Sequence, residues 1–197
     1  MTHTVGTPQL RRIVLIGLPG SGKSTAGRHV ARHFAWPFVD SDEAIETALG
    51  MTIKEYFAAN GESAFRDCEA ETLRKLLERP GPFVLSTGGG AVLRPENRQL
   101  LKAAGTVLYL QASPETIYRR LRHDTQRPLL QVSDPMEKIC ALFNERDALY
   151  RETAHHVIHS GRSPLPVLVQ KIIKLQIQER VKYLLRMELS QEQTMQI

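Results

Sequence analysis

The sequence has few cysteines and no long apolar segment. Only Cys68 and Cys140 occur among 197 residues, too few for a disulfide scaffold and without the spacing of metal ligands. No apolar run approaches the roughly 20 residues that span a bilayer, and no apolar signal core precedes Ile13. We therefore expect reduced thiols, no Cys and His metal cage, no membrane partner and a cytoplasmic location.

Aromatic residues are also scarce, at 6% of the chain, and they form no stacking platform for bases. The 26 Lys and Arg against 21 Asp and Glu give a formal net charge of +5. A basic surplus suits nucleic acid or a pocket for small anions. Without a nucleic-acid-binding motif, we expect no nucleic-acid partner. The length and the 42% hydrophobic content suit one globular domain.

What the sequence does have is a regular alternation of short apolar runs and longer segments of helical period. Five runs are typical of strands: 13–16, 37–39, 83–86, 107–110 and 156–158. Helices are predicted over 22–34, over 52–79 with a break near Asn60 and Gly61, after Ser113 and from about Ser133 to Glu152. We interpret the segment 125–133 as a mobile surface loop. The alternation predicts an α/β fold with a parallel sheet covered by helices.

The segment GLPGSGKS, residues 17–24, matches the phosphate-loop pattern, follows a predicted strand and opens a predicted helix. Its glycines let backbone N–H groups turn toward phosphate oxygens at a positive helix N-terminus. Lys23 is placed to reach the β- and γ-phosphates, and the Ser24 hydroxyl to ligate Mg²⁺. A plain strand-to-helix turn is the alternative. The residues expected to bind ATP here are Gly20, Ser21, Gly22, Lys23, Ser24 and Thr25.

Two carboxylates, Asp40 and Asp42, follow the second predicted strand. In a doubly wound sheet the carboxyl ends of the strands face the ligand crevice. Alternate residues of an extended segment share a face. We expect one carboxylate to hold metal-bound water and the other a substrate hydroxyl. The alternative is that Ser41 or Asp42 only caps the following helix.

Three successive glycines, Gly88, Gly89 and Gly90, follow the third predicted strand. Glycine costs backbone entropy, and a plain turn would need fewer of them. The run predicts unobstructed N–H groups facing a small ligand, with a structural turn as the alternative. Many phosphate-loop proteins end this strand in a metal-binding aspartate, where this chain has Ser86 and Thr87. The metal function is therefore expected to rest on Asp40.

Three arginines in separate segments complete the candidate site. The planar fork of arginine suits carboxylate or phosphate, so we expect Arg66 and Arg146 to clamp a carboxylate of the acceptor. Glu69 lies three positions after Arg66 on one helical face and is placed to hold its guanidinium. Arg127 lies in the predicted mobile loop, where it can close over the transferring phosphoryl group. Each arginine by itself is more often a solvated charge.

Together these motifs resemble those of the shikimate kinases, small P-loop kinases of the nucleoside monophosphate kinase type. The resemblance runs from about Arg12 to Gly161 through GLPGSGKST, FVDSDEAIE, FRDCE, STGGGAVLR, RPLL and ERDALY. It implies a three-layer α/β/α fold with a five-stranded parallel sheet in the order 2-3-1-4-5 and a mobile lid. It also implies that ATP, with Mg²⁺ as cofactor, phosphorylates the 3-hydroxyl of shikimate, giving shikimate 3-phosphate and ADP on the route to chorismate and the aromatic amino acids.

The resemblance also assigns roles to residues. It implies catalytic roles for Lys23, Asp42 and Arg127, with Asp42 at the reacting hydroxyl. Magnesium is implied at Ser24, and at Asp40 through water. The implied shikimate site consists of Asp42, Arg66, Gly88, Gly89, Gly90 and Arg146, with the two arginines on the carboxylate. Arg120 is implied to pack on adenine, with Arg119 and Arg122 as alternatives.

Beyond Gly161 the resemblance thins. We expect a flexible segment 1–11, a kinase domain 12–161, and a region 162–197 made of one helix and a frayed tail from residue 190. The residues Ile173, Ile177, Val181, Leu184 and Leu185 recur at spacings of three and four, which predicts an amphipathic helix. Packing on the kinase core is the favoured interpretation, and self-association and a membrane-surface helix are the alternatives. We expect a monomer.

Two other functions share parts of this pattern. A kinase for gluconate or a nucleoside monophosphate would have the same phosphate loop and lid. An ATP-gated interaction module would bind nucleotide without turnover. The paired arginines with the three glycines favour a small carboxylated polyol as acceptor, and Asp42 with Arg127 favours turnover.

Overall fold

The protein is described by a computed structural model that covers residues 11–122, 132–161 and 163–194, with side chains described up to residue 187. The N-terminal residues 1–10 and the segment 123–131 lie outside the described residues. The predicted flexible N-terminus and mobile lid fall largely in these segments, and Arg127 falls wholly within the second. They stay predictions.

The described residues form one five-stranded parallel sheet in the order β2-β3-β1-β4-β5, which confirms the predicted topology. Each predicted strand agrees with the observed one to within one residue at each end. The strands are β1 Arg12–Ile16, β2 Phe38–Asp40, β3 Phe83–Ser86, β4 Thr106–Gln111 and β5 His156–His159. The helices are α1 Lys23–Phe34, α2 Ser41–Leu49, α3 Ile53–Glu78, α4 Pro95–Ala104, α5 Pro114–Leu121, α6 Pro135–Thr153 and α7 Leu165–Thr194.

The central strand β1 divides the core into two halves. Successive side chains of a strand point to opposite faces, so Val14 and Ile16 belong to one buried cluster and Ile13 and Leu15 to the other. The first cluster lies under α3, α4, α5 and α6, and the second under α1 and the start of α7. Because both faces are covered, β1 is apolar and buried along its length after Arg12, as expected for a parallel sheet.

Local sequence signals account for most helix ends. Pro114 and Pro135 occupy the first turns of α5 and α6, where the missing N–H of proline is harmless. The helix α3 starts with a capping box between Thr52 and Glu55. It is broken at Gly61, where φ is 78° and ψ is 176°, which confirms the break predicted near this glycine. The second half of α3 carries the segment FRDCE.

The helix α7 only partly follows the prediction. Leu168, Ile172 and Ile173 are buried in the core, as expected for a helix that packs on the kinase domain. The prediction is wrong for the apolar residues further along: Ile177, Val181, Leu184 and Leu185 are 47%, 49%, 56% and 54% exposed.

Length explains this difference. The helix α7 has 30 residues and packs on α1, which has only 12. At 1.5 Å per residue these helices are about 45 Å and about 18 Å long, so much of α7 extends beyond its support. The helix also continues to Thr194, past residue 190 where the frayed tail is predicted. Residues 190–194 contain no Gly or Pro, which would end the helix.

None of the helices in the described part of the chain combines the length and the hydropathy needed to cross a membrane. Both cysteines, Cys68 and Cys140, are free thiols, as the sequence predicts.

Candidate active site

The phosphate loop connects β1 to α1 at the carboxyl edge of the sheet. Gly22 has φ of 98°, a left-handed conformation in which any side chain would be strained, and the first turn of α1 has no side-chain cap. The N–H groups of that turn are therefore open to phosphate oxygens. Lys23 is buried, and its ammonium donates to the carbonyls of Gly17 at 2.8 Å and Leu18 at 3.0 Å. The lysine thus lies folded against the loop, and its phosphate-binding role stays a prediction.

Three oxygen-bearing side chains meet beside this loop. The Ser24 hydroxyl donates to Oδ2 of Asp40 at 2.7 Å and lies 3.1 Å from the hydroxyl of Ser86. Strand pairing holds Asp40 opposite Ser86. Carboxylate and hydroxyl oxygens are the hard ligands that Mg²⁺ prefers, and it usually takes the rest from substrate phosphates and water. The residues fit a magnesium ion, and Ser86 stands where the sequence lacks the usual aspartate.

The helix α2 begins directly at these carboxylates, and Asp40 is its N-cap: Oδ1 accepts a hydrogen bond from the Asp42 N–H at 3.1 Å. The alternative that Ser41 or Asp42 caps the helix is therefore wrong. The Ser41 hydroxyl instead accepts from the N–H of Gly88 at 2.8 Å. Because Asp40 does the capping, the Asp42 side chain is not needed for it.

The Asp42 carboxylate lies between the two halves of the site. It lines the same cleft as Lys23 and Ser24, and a methyl group on Gly88 would come within 2.5 Å of its Oδ1. Burial, with a contribution from the charge of Asp40, raises the pKa of Asp42 to about 6 although Lys23 opposes the rise. A carboxylate with this pKa is a better proton acceptor than an exposed aspartate and is still largely ionised at neutral pH.

The predicted carboxylate clamp converges on the glycine turn, defined here as residues 88–90. Arg66 lies against Gly90 so closely that a methyl group there would collide with its guanidinium. Its Nη1 donates to Oε2 of Glu69 at 2.7 Å, which confirms the predicted pairing, and Glu69 is only 1% exposed. Burial opposes the charge of Arg66, but the carboxylates of Glu69 and Glu62 raise its pKa. The two glutamates thus hold the Arg66 guanidinium in position and stabilise its positive charge.

The second arginine reaches the same turn from α6. Nη1 of Arg146 donates to the carbonyl of Gly89 at 3.3 Å, and its side chain is 12% exposed. The hydroxyl of Tyr150 donates to that same carbonyl at 2.6 Å. Sequence reasoning missed Tyr150, although it ends the segment ERDALY. The signal for it was a spacing of four from Arg146, which places both residues on one face of a helix.

The nucleotide side of the site is a cleft of about 680 Å³ that extends from the phosphate loop toward α7. Arg120 lines it together with Ser163, Leu165 and Leu168. Its guanidinium donates to the carbonyls of Gly20 at 3.1 Å, Ser21 at 3.2 Å and Ser160 at 2.6 Å. Of the three candidate arginines, all described, Arg120 lines the cleft and Arg119 and Arg122 do not.

The comparisons with known proteins agree with this geometry. The family model described as Shikimate kinase matches residues 19–176. A curated shikimate kinase from Paracidovorax citrulli is 54% identical over 167 residues, which cover 84% of this chain and 91% of that protein. The chain belongs to the shikimate kinase family. It is therefore an ATP-dependent kinase with an alcohol acceptor, as the sequence motifs predict.

Solved structures give the same result for this shikimate kinase. A shikimate kinase from Acinetobacter baumannii, in complex with shikimate, is 41% identical, with a TM-score of 0.82 over 87% of this chain and 96% of that one. A gluconokinase from Sinorhizobium meliloti is 18% identical, with a TM-score of 0.54 over 90% of this chain and 98% of that one. The second likeness shows the fold alone, so the gluconate alternative gains no support from it.

Proposed function

We propose that this shikimate kinase divides its reaction between two sets of residues that meet at Asp42. The phosphate loop and Arg120 bind ATP, and the glycine turn with Arg66 and Arg146 binds shikimate through its carboxylate. The observation that carries the proposal is the position of Asp42, which lines the nucleotide cleft and also lies against Gly88 of the turn. In this proposal the hydroxyl to be phosphorylated lies between Asp42 and the phosphate loop.

The chemical step follows from this placement. Asp42 accepts the proton of the shikimate 3-hydroxyl as that oxygen bonds to the γ-phosphorus and the bond to the ADP oxygen breaks. Lys23 and Arg127 stabilise the negative charge on the transferring phosphoryl group, since phosphoryl transfer depends mainly on positioning and electrostatics. The clamp fixes the acceptor, which removes the entropy cost of a two-body encounter from the chemical step.

Magnesium belongs to the nucleotide half. Ser24 would hold it directly and Asp40 through water, because their oxygens lie 2.7 Å apart beside the phosphate loop. When bound, the ion neutralises charge on the phosphates.

We also propose that the enzyme is a cytoplasmic monomer, with 12–161 as the catalytic domain and 162–197 as an appended helix and tail. One chain supplies all the residues named above, both thiols are free, and sedimentation velocity tests the state directly.

Coupled ADP release tests the function. With ATP and Mg²⁺ present, we expect release that depends on shikimate and not on gluconate, AMP or the absence of an acceptor. Shikimate with its carboxylate replaced by a neutral group should react poorly. Release that proceeds equally with gluconate, or ATP binding with no acceptor-dependent release, would contradict the proposal.

Replacing either arginine of the clamp should weaken acceptor use selectively. We expect Arg66→Ala or Arg146→Ala to raise the KM for shikimate by about 10²-fold, because each removes a charge-assisted contact worth roughly 2–3 kcal/mol. The KM for ATP should change little, since neither guanidinium lines the nucleotide cleft within the described structure. Initial rates at varied shikimate and varied ATP measure both values.

Arg74→Ala is the matched control for this experiment. Arg74 lies on the same helix as Arg66 and also pairs with glutamates, Glu71 and Glu78, but its side chain is 52% exposed and faces solvent. Exposed ion pairs contribute little, so its kinetic values should equal those of the wild type. An equal rise in the KM for ATP in the clamp variants would contradict the division of labour.

A further inference from the structure

The fully buried phenol of Tyr150 reaches the glycine turn from the core. Tyr150 lies near the end of α6, is 0% exposed, and stacks on Tyr109 of β4 with ring centroids 4.8 Å apart. Its hydroxyl donates to the carbonyl of Gly89 at 2.6 Å. Since the ring is packed and the bond is short, both the direction and the length of this contact are fixed by the core.

The direction of this bond is not open to exchange. A carbonyl oxygen only accepts, so the Tyr150 hydroxyl must be the donor. Burial also raises the pKa of Tyr150 above the usual value for a phenol. Gly89 offers one carbonyl, which accepts from Tyr150 at 2.6 Å and from Nη1 of Arg146 at 3.3 Å. The tyrosine makes the stronger of the two bonds. Without it, the carbonyl would draw on the arginine alone, and Arg146 would have less freedom to turn toward a carboxylate.

The turn is anchored at its other end by α2. The N–H of Gly88 donates to Ser41, the neighbour of Asp42 in the chain. The glycine turn therefore joins the element that carries the base to the element that carries the second arginine. Ser41 accepts a hydrogen bond from Gly88 at one end, and Tyr150 and Arg146 donate to Gly89 at the other. A shift of the turn at Gly89 would change the spacing between these two groups, and with it the fit of an acceptor that contacts both.

We propose that Tyr150 is a positioning residue for the acceptor: its hydroxyl fixes the Gly89 carbonyl and thereby sets the glycine turn and Arg146 in the geometry that shikimate requires. This inference rests on the proposed function, because it assigns the turn to the acceptor. Tyr150 acts through Gly89 and Arg146, and the interaction it controls is acceptor binding rather than nucleotide binding.

Tyr109 provides a matched control. It is buried to the same degree, at 1% exposed, and its hydroxyl donates to Oδ1 of Asp147 at 2.8 Å. Asp147 also accepts from Gln111 at 2.9 Å and from Arg151 at 2.6 Å, so it keeps two donors when the tyrosine is changed. Tyr109→Phe and Tyr150→Phe each remove one buried hydroxyl from the same stacked pair, but only the second loses a bond to the turn.

The experiment compares steady-state kinetics and melting temperatures of Tyr150→Phe, Tyr109→Phe and the wild type. We expect Tyr150→Phe to raise the KM for shikimate about tenfold, since one hydrogen bond to a buried carbonyl is lost, with the KM for ATP within twofold of the wild type. Tyr109→Phe should leave both KM values within twofold. The two variants should lose similar amounts of melting temperature, so a difference in KM cannot be attributed to stability.

A second measurement asks whether Tyr150 acts through Arg146. In an Arg146→Ala background, Tyr150→Phe should raise the KM for shikimate by clearly less than tenfold, because coupled residues are not additive. A full tenfold effect in that background, an unchanged KM in the single variant, or an equal rise in Tyr109→Phe would each overturn the inference. Failure of the proposed function would instead appear in the wild type, as an absence of shikimate-dependent ADP release.

Discussion

Replacing Lys23 by alanine is expected to abolish turnover with shikimate and with every other acceptor, lowering kcat by about 10³-fold or more. The ammonium of Lys23 is the buried cation of the phosphate loop and lies on the carbonyls of Gly17 and Leu18. In the loaded enzyme it is expected to exchange these carbonyls for phosphate oxygens.

The Lys23→Ala experiment has an internal contrast. Shikimate binding, measured by calorimetry without nucleotide, should remain near the wild-type value because the clamp is intact. ATP binding should weaken. Lys75→Ala serves as the control, since Lys75 is 69% exposed and pairs with Glu71 on the surface of α3. Equal loss of ATP binding in Lys23→Ala, Arg66→Ala and Arg146→Ala would refute the assignment of separate nucleotide and acceptor halves.

Replacing Asp42 by asparagine should lower kcat by about 10² to 10⁴-fold, the range typical for a positioned general base. Asparagine keeps the shape of the side chain and can still contact the hydroxyl, so the KM for shikimate should change much less than kcat. Steady-state rates at saturating ATP measure both. A variant that retained wild-type kcat would show that Asp42 accepts no proton in the reaction.

The raised pKa of Asp42 gives this prediction a dependence on pH. The base is active when ionised, so kcat/KM for shikimate in the wild type should be half-maximal near pH 6 and fall about tenfold per unit below it. The inflection should be missing from the residual activity of Asp42→Asn. If the inflection persisted in the variant, another group would have to be the base.

The same pKa predicts that the inactive variant is more stable. A folded-state pKa of about 6 lies above the value of roughly 4 in an unfolded chain, so the folded protein binds the proton more tightly. The ionised carboxylate therefore costs stability above pH 6, and the cost disappears as the pH falls toward 4. At pH 8, Asp42→Asn should remove this cost and raise the free energy of unfolding by on the order of 2 kcal/mol. The melting temperature should then rise by about 4–8 °C.

The sheet was predictable because its signals are local. Every strand is a short apolar run followed by a helix, and only a parallel sheet accommodates that order. Single residues likewise predict two helix starts, at Pro114 and Pro135, and the break at Gly61. The exposure of Ile177 and Val181 was not predictable, because helical spacing shows that a face is apolar but not how far its support extends.

The site divides in the same way. The phosphate loop, the carboxylates and the paired arginines are motifs with fixed spacing, and the structure brings them to one edge of the sheet. The capping by Asp40 was missed, since three polar residues in a row can each cap a helix and only the backbone decides. Tyr150 was missed because its partner, the Gly89 carbonyl, is distant in the chain. The spacing of four from Arg146 places both residues on one helix face but does not show what that face contacts.

The two carboxylate oxygens of Asp40 contact different parts of the site. Oδ1 holds the first turn of α2, which carries Asp42, and Oδ2 lies on Ser24 beside the phosphate loop. A carboxylate is planar and rigid, so a rotation that suits one oxygen moves the other. A ligand that binds at Ser24 and turns the Asp40 carboxylate therefore also shifts the first turn of α2, which carries Asp42. The two substrates should each tighten the binding of the other. We therefore expect Asp40 to couple ATP binding and acceptor binding in both directions.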